Sequence, residues 1–405
     1  MSAASVLRRR LVIADSRSPG ESHLRELLER ASTAHEVELV GSSDAALALI
    51  ANKQPDAILT HAALEAQPDL PPASVVLASL AIRHRHHHDI PVLLYTSEPG
   101  LGYEGILAQL AVPAPLLLER RLVACFEDII AELMAHAEAA ALLRTLPSVC
   151  SGEPCDCIPR PFRVDRFLQD VESAVLSAAA REHPDRTEAA AALRMPVETF
   201  DRRRRELAID DGGPCRPDFQ AQQGLLWCSR NAAPPAIAEA CGAEDVELWR
   251  IAPGSLHPNT LTSPAPIAAV VEVSDAAGAV DAWVLQRSVR PFLLAGVPPA
   301  PVRYLLEELH VQPSWLPGGE LPPALFRAGR AAAKLYSDED PSLRLQFGRG
   351  GAPAWPTDVA DLLRRLDSRI LKLASATICP VAEAARAVGL AESTYRARLH
   401  RALRV

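Results

Sequence analysis

The chain has 405 residues, a formal net charge of −8, 35 prolines and only 4% aromatic side chains. That length accommodates roughly two to four domains with ample material for a core. The acidic balance excludes a polycation, so any nucleic-acid contact has to come from a local patch.

Residues 9–140 alternate apolar strand-like runs with helical patterns. The runs are Leu11–Ala14, Val37–Val40, Ala57–Leu59, Val92–Tyr95 and Leu116–Leu118, with helices expected over Ser22–Ala31 and Asp44–Ala51. Five βα units predict a doubly wound parallel sheet. The spacing resembles the response-regulator receiver family, notably at Gln54–Leu59 and Asp89–Thr96. That resemblance implies magnesium held by clustered carboxylates, an acceptor aspartate, a hydroxyl and a lysine. Here Asp15 stands at the end of the first strand with Ser16 in place of a second acid, and His61 falls at the acceptor position. Thr96 matches the hydroxyl, while Leu118, Glu119 and Arg120 stand where the lysine belongs. One carboxylate cannot supply the oxygen octahedron that magnesium demands. Asp15, His61 and Thr96 thus read as a degenerate phosphorylation site in a pseudo-receiver used for dimerisation or for docking a protein partner.

Two clusters of metal-type residues follow. His84–Asp89 has two readings, a metal or pH-sensing group and a solvated helix end; adjacent histidines in a loop seldom converge on one ion, which favours the second. Cys150, Cys155 and Cys157 lie in a Pro/Gly-bearing stretch without the usual CxxC spacing, and read as linker thiols or as weak candidate metal ligands.

Residues Asp185–Leu207 and 380–402 share one pattern, each residue of the second standing 195 positions after its counterpart, as Ala384 follows Ala189. Ala189, Ala190, Leu193, Met195 and Phe200 correspond to Ala384, Ala385, Val388, Leu390 and Tyr395. Small residues let two helices approach, and the apolar ones supply a small core. Gly389 suits the turn of the second copy, where the first carries Arg194. The final segment, Val381–Val405, resembles the Fis-type helix-turn-helix that also closes NtrC-type bacterial activators. The resemblance implies DNA contacts from Ser393, Thr394, Arg396, Arg398 and Arg401, and in the first copy from Thr199, Arg202, Arg203 and Arg205. Val197 and Glu392 replace a basic residue common in that family.

Residues 211–355 are expected to form a second α/β domain. Asp245–Ile251, Ile267–Val273 and Ala282–Leu285 read as strands, with a turn at Asp275–Gly278; Pro301–Leu309 and Pro323–Leu335 read as helices. No GxxxxGK[ST] phosphate loop is present, and Gly348–Gly351 reads as a joint.

The expected class is therefore α/β plus all-α: a pseudo-receiver (1–140), a cysteine-bearing linker (141–162), a Fis-like hairpin (163–210), an α/β domain (211–355) and a second hairpin (356–405). The function expected is DNA-binding transcriptional regulation without cofactor, catalysis or membrane, in the cytoplasm. The partners are double-stranded DNA and a second copy of the chain, with the two hairpins pairing either within one chain as an internal pseudo-dimer or each with its twin in a homodimer. The rivals are an adaptor whose hairpins bind protein and a thiol- or metal-gated sensor.

Overall fold

The computed structural model describes residues 10–53, 55–62, 64, 90, 92–97, 116–144, 158–183, 185–209, 224–256, 266–288, 292–311, 316, 321, 323–337 and 358–403. These fall into two compact units. The first comprises residues 1–143 with 324–353, the second 144–323 with 354–405. The histidine run 84–89, the cysteines 150, 155 and 157 and the glycine joint 348–351 lie outside the described residues.

In the first unit the chain runs β1 (Arg10–Ala14), α1 (Ser22–Ala34), β2 (Glu36–Val40), α2 (Ser43–Lys53), β3 (Ala57–His61), β4 (Val92–Thr96), β5 (Leu116–Leu118), α3 (Glu119–Ala124) and α4 (Phe126–Arg144). The strands form one parallel sheet in the order β2-β1-β3-β4-β5. This is the receiver-like doubly wound order. Period-two alternation splits the core across the sheet. Val12, Ala14, Ile58, Val92 and Leu94 meet Ala46 and Ile50 of α2 on one face. Leu11, Ile13, Leu59, Leu93 and Tyr95 meet Leu24 and Leu27 of α1 and Phe126 and Ile130 of α4 on the other. Both faces are covered, which is why the strands read as continuous apolar runs.

In the second unit, α5 (Val164–Glu182), α6 (Arg186–Ala192) and α7 (Val197–Glu206) lead into β6 (Gly224–Cys228), α8 (Pro235–Ala243), β7 (Glu247–Ile251), β8 (Ala268–Glu272), α9 (Ala276–Ser288), β9 (Phe292–Ala295) and α10 (Ala300–Glu308). Helix α11 (Pro323–Ser337) belongs almost wholly to the first unit, and α12 (Val359–Thr377), α13 (Val381–Ala387) and α14 (Glu392–Ala402) complete the second. The four strands are parallel in the order β7-β6-β8-β9. That order repeats β2-β1-β3-β4 of the first unit, so the chain carries two sheets of receiver-like winding.

One expectation is overturned: Ala282–Leu285 is not a strand but part of α9. Asp275 caps that helix, its Oδ1 accepting from the backbone N–H of Gly278 at 2.9 Å. Ala276, Ala279, Val280, Ala282, Trp283, Val284 and Leu285 are all buried. A helix buried nearly all round loses the amphipathic stripe that would distinguish it from a buried strand. Strands β6 and β9 escaped for a related reason, being short uninterrupted apolar runs.

A single core runs through the second unit. It joins Val171 and Val175 of α5, Leu226 and Val271 of the sheet, Trp283 of α9, Leu305 of α10, Leu366 and Ile370 of α12, and Phe200 and Tyr395 of the two hairpins. Helix α5 presents Val164, Phe167, Val171, Val175 and Ala178 at helical spacing to this core. Asp358 opens α12 by accepting from the backbone N–H of Ala360 at 2.7 Å and of Asp361 at 3.2 Å.

Candidate functional site

The two helical hairpins are built by the same rules. In α6 and α7, Ala189, Ala190, Leu193 and Phe200 are buried; in α13 and α14, Ala384, Ala385, Val388 and Tyr395 are buried in the corresponding places. The turn between the helices needs a left-handed residue in both copies, Arg194 at φ 54° and Gly389 at φ 71°. In the second copy a side chain has no room either. A Cβ on Gly389 would lie 2.9 Å from Arg163 Cγ and 3.1 Å from the Phe162 carbonyl.

The most informative contact is a repeated ion pair. Arg203 of α7 donates from Nε to Glu172 Oε1 of α5 at 2.6 Å, and from Nη2 to the other carboxylate oxygen. Arg398 of α14 donates from Nε to Asp367 Oδ2 of α12 at 3.1 Å, and from Nη2 to Oδ1. Glu172 and Asp367 stand at the same 195-residue offset as the two arginines. Bidentate pairing of this kind fixes geometry as well as charge. Hydrogen bonds from Glu172 hold the Arg203 guanidinium more basic than usual. For Arg398, burial acts to lower the pKa, but the hydrogen bonds with Asp367 and Asp165 outweigh it. Both arginines therefore clamp the second helix of a hairpin onto the long helix before it.

The other candidate DNA contacts face outward. Ser393, Thr394, Arg396 and Arg401 are exposed on α14, and Arg202 and Arg205 on α7, while Thr199 is half-buried. Arg396 pairs along its own helix with Glu392 at 2.6 Å, and Arg202 with Glu206 at 3.0 Å. Such exposed i,i+4 pairs contribute little and yield readily to a phosphate.

The two copies meet inside the chain through the long helices α5 and α12, and the start of α5 also touches the second hairpin. The Val164 N–H at the start of α5 donates to the Val388 carbonyl at 3.0 Å, and Arg398 Nη1 reaches Asp165 Oδ1 at 2.6 Å. Leu363 of α12 lines the groove between α5 and α7, and Leu168 of α5 lines the groove beside α12 and α14. Leu168 and Leu363 are themselves equivalent positions, so each copy offers the other the same residue. That reciprocity is the hallmark of an isologous, two-fold contact.

At the carboxyl ends of the first sheet lie the residues that the receiver resemblance singled out. Asp15, His61, Thr96 and Glu119 are buried there. Arg17 fills the space between the two acids. Its guanidinium reaches Asp15 Oδ2 at 2.6 Å and Oδ1 at 3.0 Å, and Glu119 Oε1 at 2.7 Å and Oε2 at 2.9 Å. The Tyr95 hydroxyl donates to Asp15 Oδ2 at 2.7 Å. Burial works to raise the Asp15 pKa, but hydrogen bonds from Arg17 and Tyr95 prevail and hold it below its ordinary value. Burial, seconded by Arg17, pushes the His61 imidazole down, toward its neutral form. These residues do not fit magnesium: every carboxylate oxygen of the pair is already engaged by Arg17, whose charge stands where a cation would. The sequence pointed to Asp15, His61 and Thr96 but not to Arg17, Glu119 and Tyr95 as members of the site. The available signal was compensation, an acid in the lysine's place together with an arginine two residues after Asp15.

The second sheet repeats the layout with other chemistry. Ala14 pairs with Thr60 and His61 with Tyr95; Cys228 pairs with Val271 and Glu272 with Ala295. Ser229 thus corresponds to Asp15 and Glu272 to His61. The Ser229 hydroxyl donates to Glu272 Oε2, and the Asn231 amide donates to both Glu272 oxygens at 3.0 Å. Beneath them Asp281, fully buried, accepts from the Gly254 N–H at 2.6 Å and from the Cys228 thiol at 3.5 Å. Burial raises its pKa to about 6.

Cys228 and Cys241 are buried while Cys125 and Cys379 are exposed, and among the described residues no group of three acids, histidines or cysteines converges as metal ligands. No helix among them is long and apolar enough to cross a membrane.

No protein-family model matches the chain. No curated protein matches it either. Among solved structures it is similar to NtrX from Brucella abortus in complex with ATP, 11% identical over 98% of this chain and 100% of that one, with a TM-score of 0.28. It is also similar to the Salmonella typhimurium response regulator RcsB, 13% identical over 50% of this chain and 93% of that one, with a TM-score of 0.25. Similarity of this degree adds nothing to what the sheet order already shows.

Proposed function

We propose that the chain is a cytoplasmic DNA-binding transcriptional regulator that acts by binding alone, with Fis-type hairpins as its DNA-contacting elements. The observation that carries this reading is the repeated clamp. Arg203–Glu172 and Arg398–Asp367 hold two hairpins in one pose, each with its second helix turned outward and bearing arginines. A helix so presented suits the DNA major groove. The first sheet supports a docking role, because its pocket is closed by Arg17 and offers no free carboxylate to a phosphodonor. The meeting of the two copies within one chain means that a two-hairpin reader needs no second copy.

The test is binding of the whole protein to fluorescein-labelled random 30-base-pair duplex over a salt series. Affinity should fall with salt at a log–log slope of about 0.9 per phosphate contact. Absence of salt-dependent binding would favour the adaptor reading, which draws its support from Glu198, Asp201 and Glu206 on α7.

A further inference from the structure

The two outward faces are related by position but not by chemistry. Reading the second helix of each hairpin at the 195-residue offset, Glu198 matches Ser393, Asp201 matches Arg396, Arg202 matches Ala397, Arg205 matches His400 and Glu206 matches Arg401. Two positions reverse charge and one loses an acid. The inward-facing positions, by contrast, keep their character, aromatic and buried at Phe200 and Tyr395, and ion-paired and partly exposed at Arg203 and Arg398. Scaffold and pairing have thus stayed alike while the presented surfaces have diverged.

We infer that a single chain engages one DNA site through two unequal half-sites: α14 supplies most of the phosphate and base contacts, and α7 a weaker, different contact. This rests on the DNA-binding reading above and specifies its target. A homodimer of identical hairpins reads a palindrome because its two surfaces are the same. Here the reciprocal exchange of Leu168 with Leu363 is satisfied inside one chain, and among the described residues the bond from Val164 to Val388 has no counterpart in the other copy, so no symmetry operation equates the surfaces. Acids at 198, 201 and 206 repel phosphate next to Arg202 and Arg205, whereas Ser393, Arg396 and Arg401 leave only Glu392 to oppose binding. The DNA chemistry that fits is a non-palindromic duplex with one dominant half.

The experiment selects binders from a random 30-base-pair duplex pool with the full chain, then measures stoichiometry by native mass spectrometry and affinity by anisotropy. The expected results are a 1:1 complex and a recovered motif that differs from its own reverse complement. Arg396→Ala with Arg401→Ala should weaken binding at least about tenfold, and Arg202→Ala with Arg205→Ala by about threefold or less. All four side chains are exposed, and circular dichroism confirms that each variant folds. Asp201→Arg with Glu206→Arg should instead tighten binding and steepen the salt slope, since the first face then exchanges two acids for two cations. A 2:1 complex on a palindrome, or equal losses in the two double-alanine variants, overturns the inference while leaving DNA binding intact. A pool that shows no enrichment overturns the DNA-binding reading and this inference with it.

Discussion

Replacing Arg17 by Ala opens the filled pocket of the first sheet to a direct test. The guanidinium is the cationic partner of two acids that are each 1% exposed, and it spans them with five hydrogen bonds. Deleting one partner of a buried pair leaves uncompensated charge and costs about 3–5 kcal/mol. Arg17 is itself 18% exposed, so water can partly replace it and the lower half of that range applies. The loss is still a large share of the few kcal/mol that hold a domain folded. Hydrogen exchange of the whole protein localises it, because the amides of β1 and β3 should exchange faster while those of the second unit stay unchanged. The pH sign follows from the acids. In the native protein the Asp15 pKa is lowered, so its contribution is present above the unfolded value of 3.8 and is lost only as pH falls through the still lower folded value. Without Arg17, burial acts to raise Asp15 with the Tyr95 hydroxyl left to oppose it, so the variant should recover protection as pH is lowered from 8 to about 5. The triple variant Arg17→Met, Asp15→Asn, Glu119→Gln removes charge from all three positions and should lie within about 1.5 kcal/mol of the native protein. Unchanged exchange in Arg17→Ala, or a defect that does not shrink on acidification, would refute the reasoning.

Incubating the native protein with magnesium and a small phosphodonor should give no acid-labile phosphate on Asp15 or Asp56; an acyl phosphate found by mass spectrometry would show that Arg17 leaves the pocket. Arg398→Ala should lower the hairpin's melting temperature as well as its DNA affinity, because it loses the clamp to Asp367, whereas Arg401→Ala should lower affinity alone. Gly389→Ala should cost about 2 kcal/mol or more, combining a left-handed backbone with a Cβ 2.9 Å from Arg163 Cγ, while Arg194→Gly should be neutral or stabilising by up to about 1 kcal/mol. Thermal melts of both variants measure this directly.

The first sheet was legible because short apolar runs and helical patterns alternate five times there, and the hairpins because small and apolar residues repeat at a fixed offset. The winding of the second sheet was not, since Gly224–Cys228 and Phe292–Ala295 lack alternation and α9 is buried on nearly every side. Of the arginines, sequence could list them but not sort them. Arg203 and Arg398 are committed to carboxylates distant in the chain, and nothing local distinguishes them from Arg202 or Arg401.

The bond from the Val164 N–H to the Val388 carbonyl spans most of the second unit. During synthesis at about 5–20 residues per second, the first hairpin would wait roughly 10–40 s before its partner emerges. Until then Val171, Val175 and Phe200 lack the second hairpin, and for the first part of the wait the intervening sheet as well. The nascent chain thus carries an incompletely covered helical surface through much of the second half of its synthesis. Codon usage and chaperone supply should matter more to the yield of this protein than its final stability.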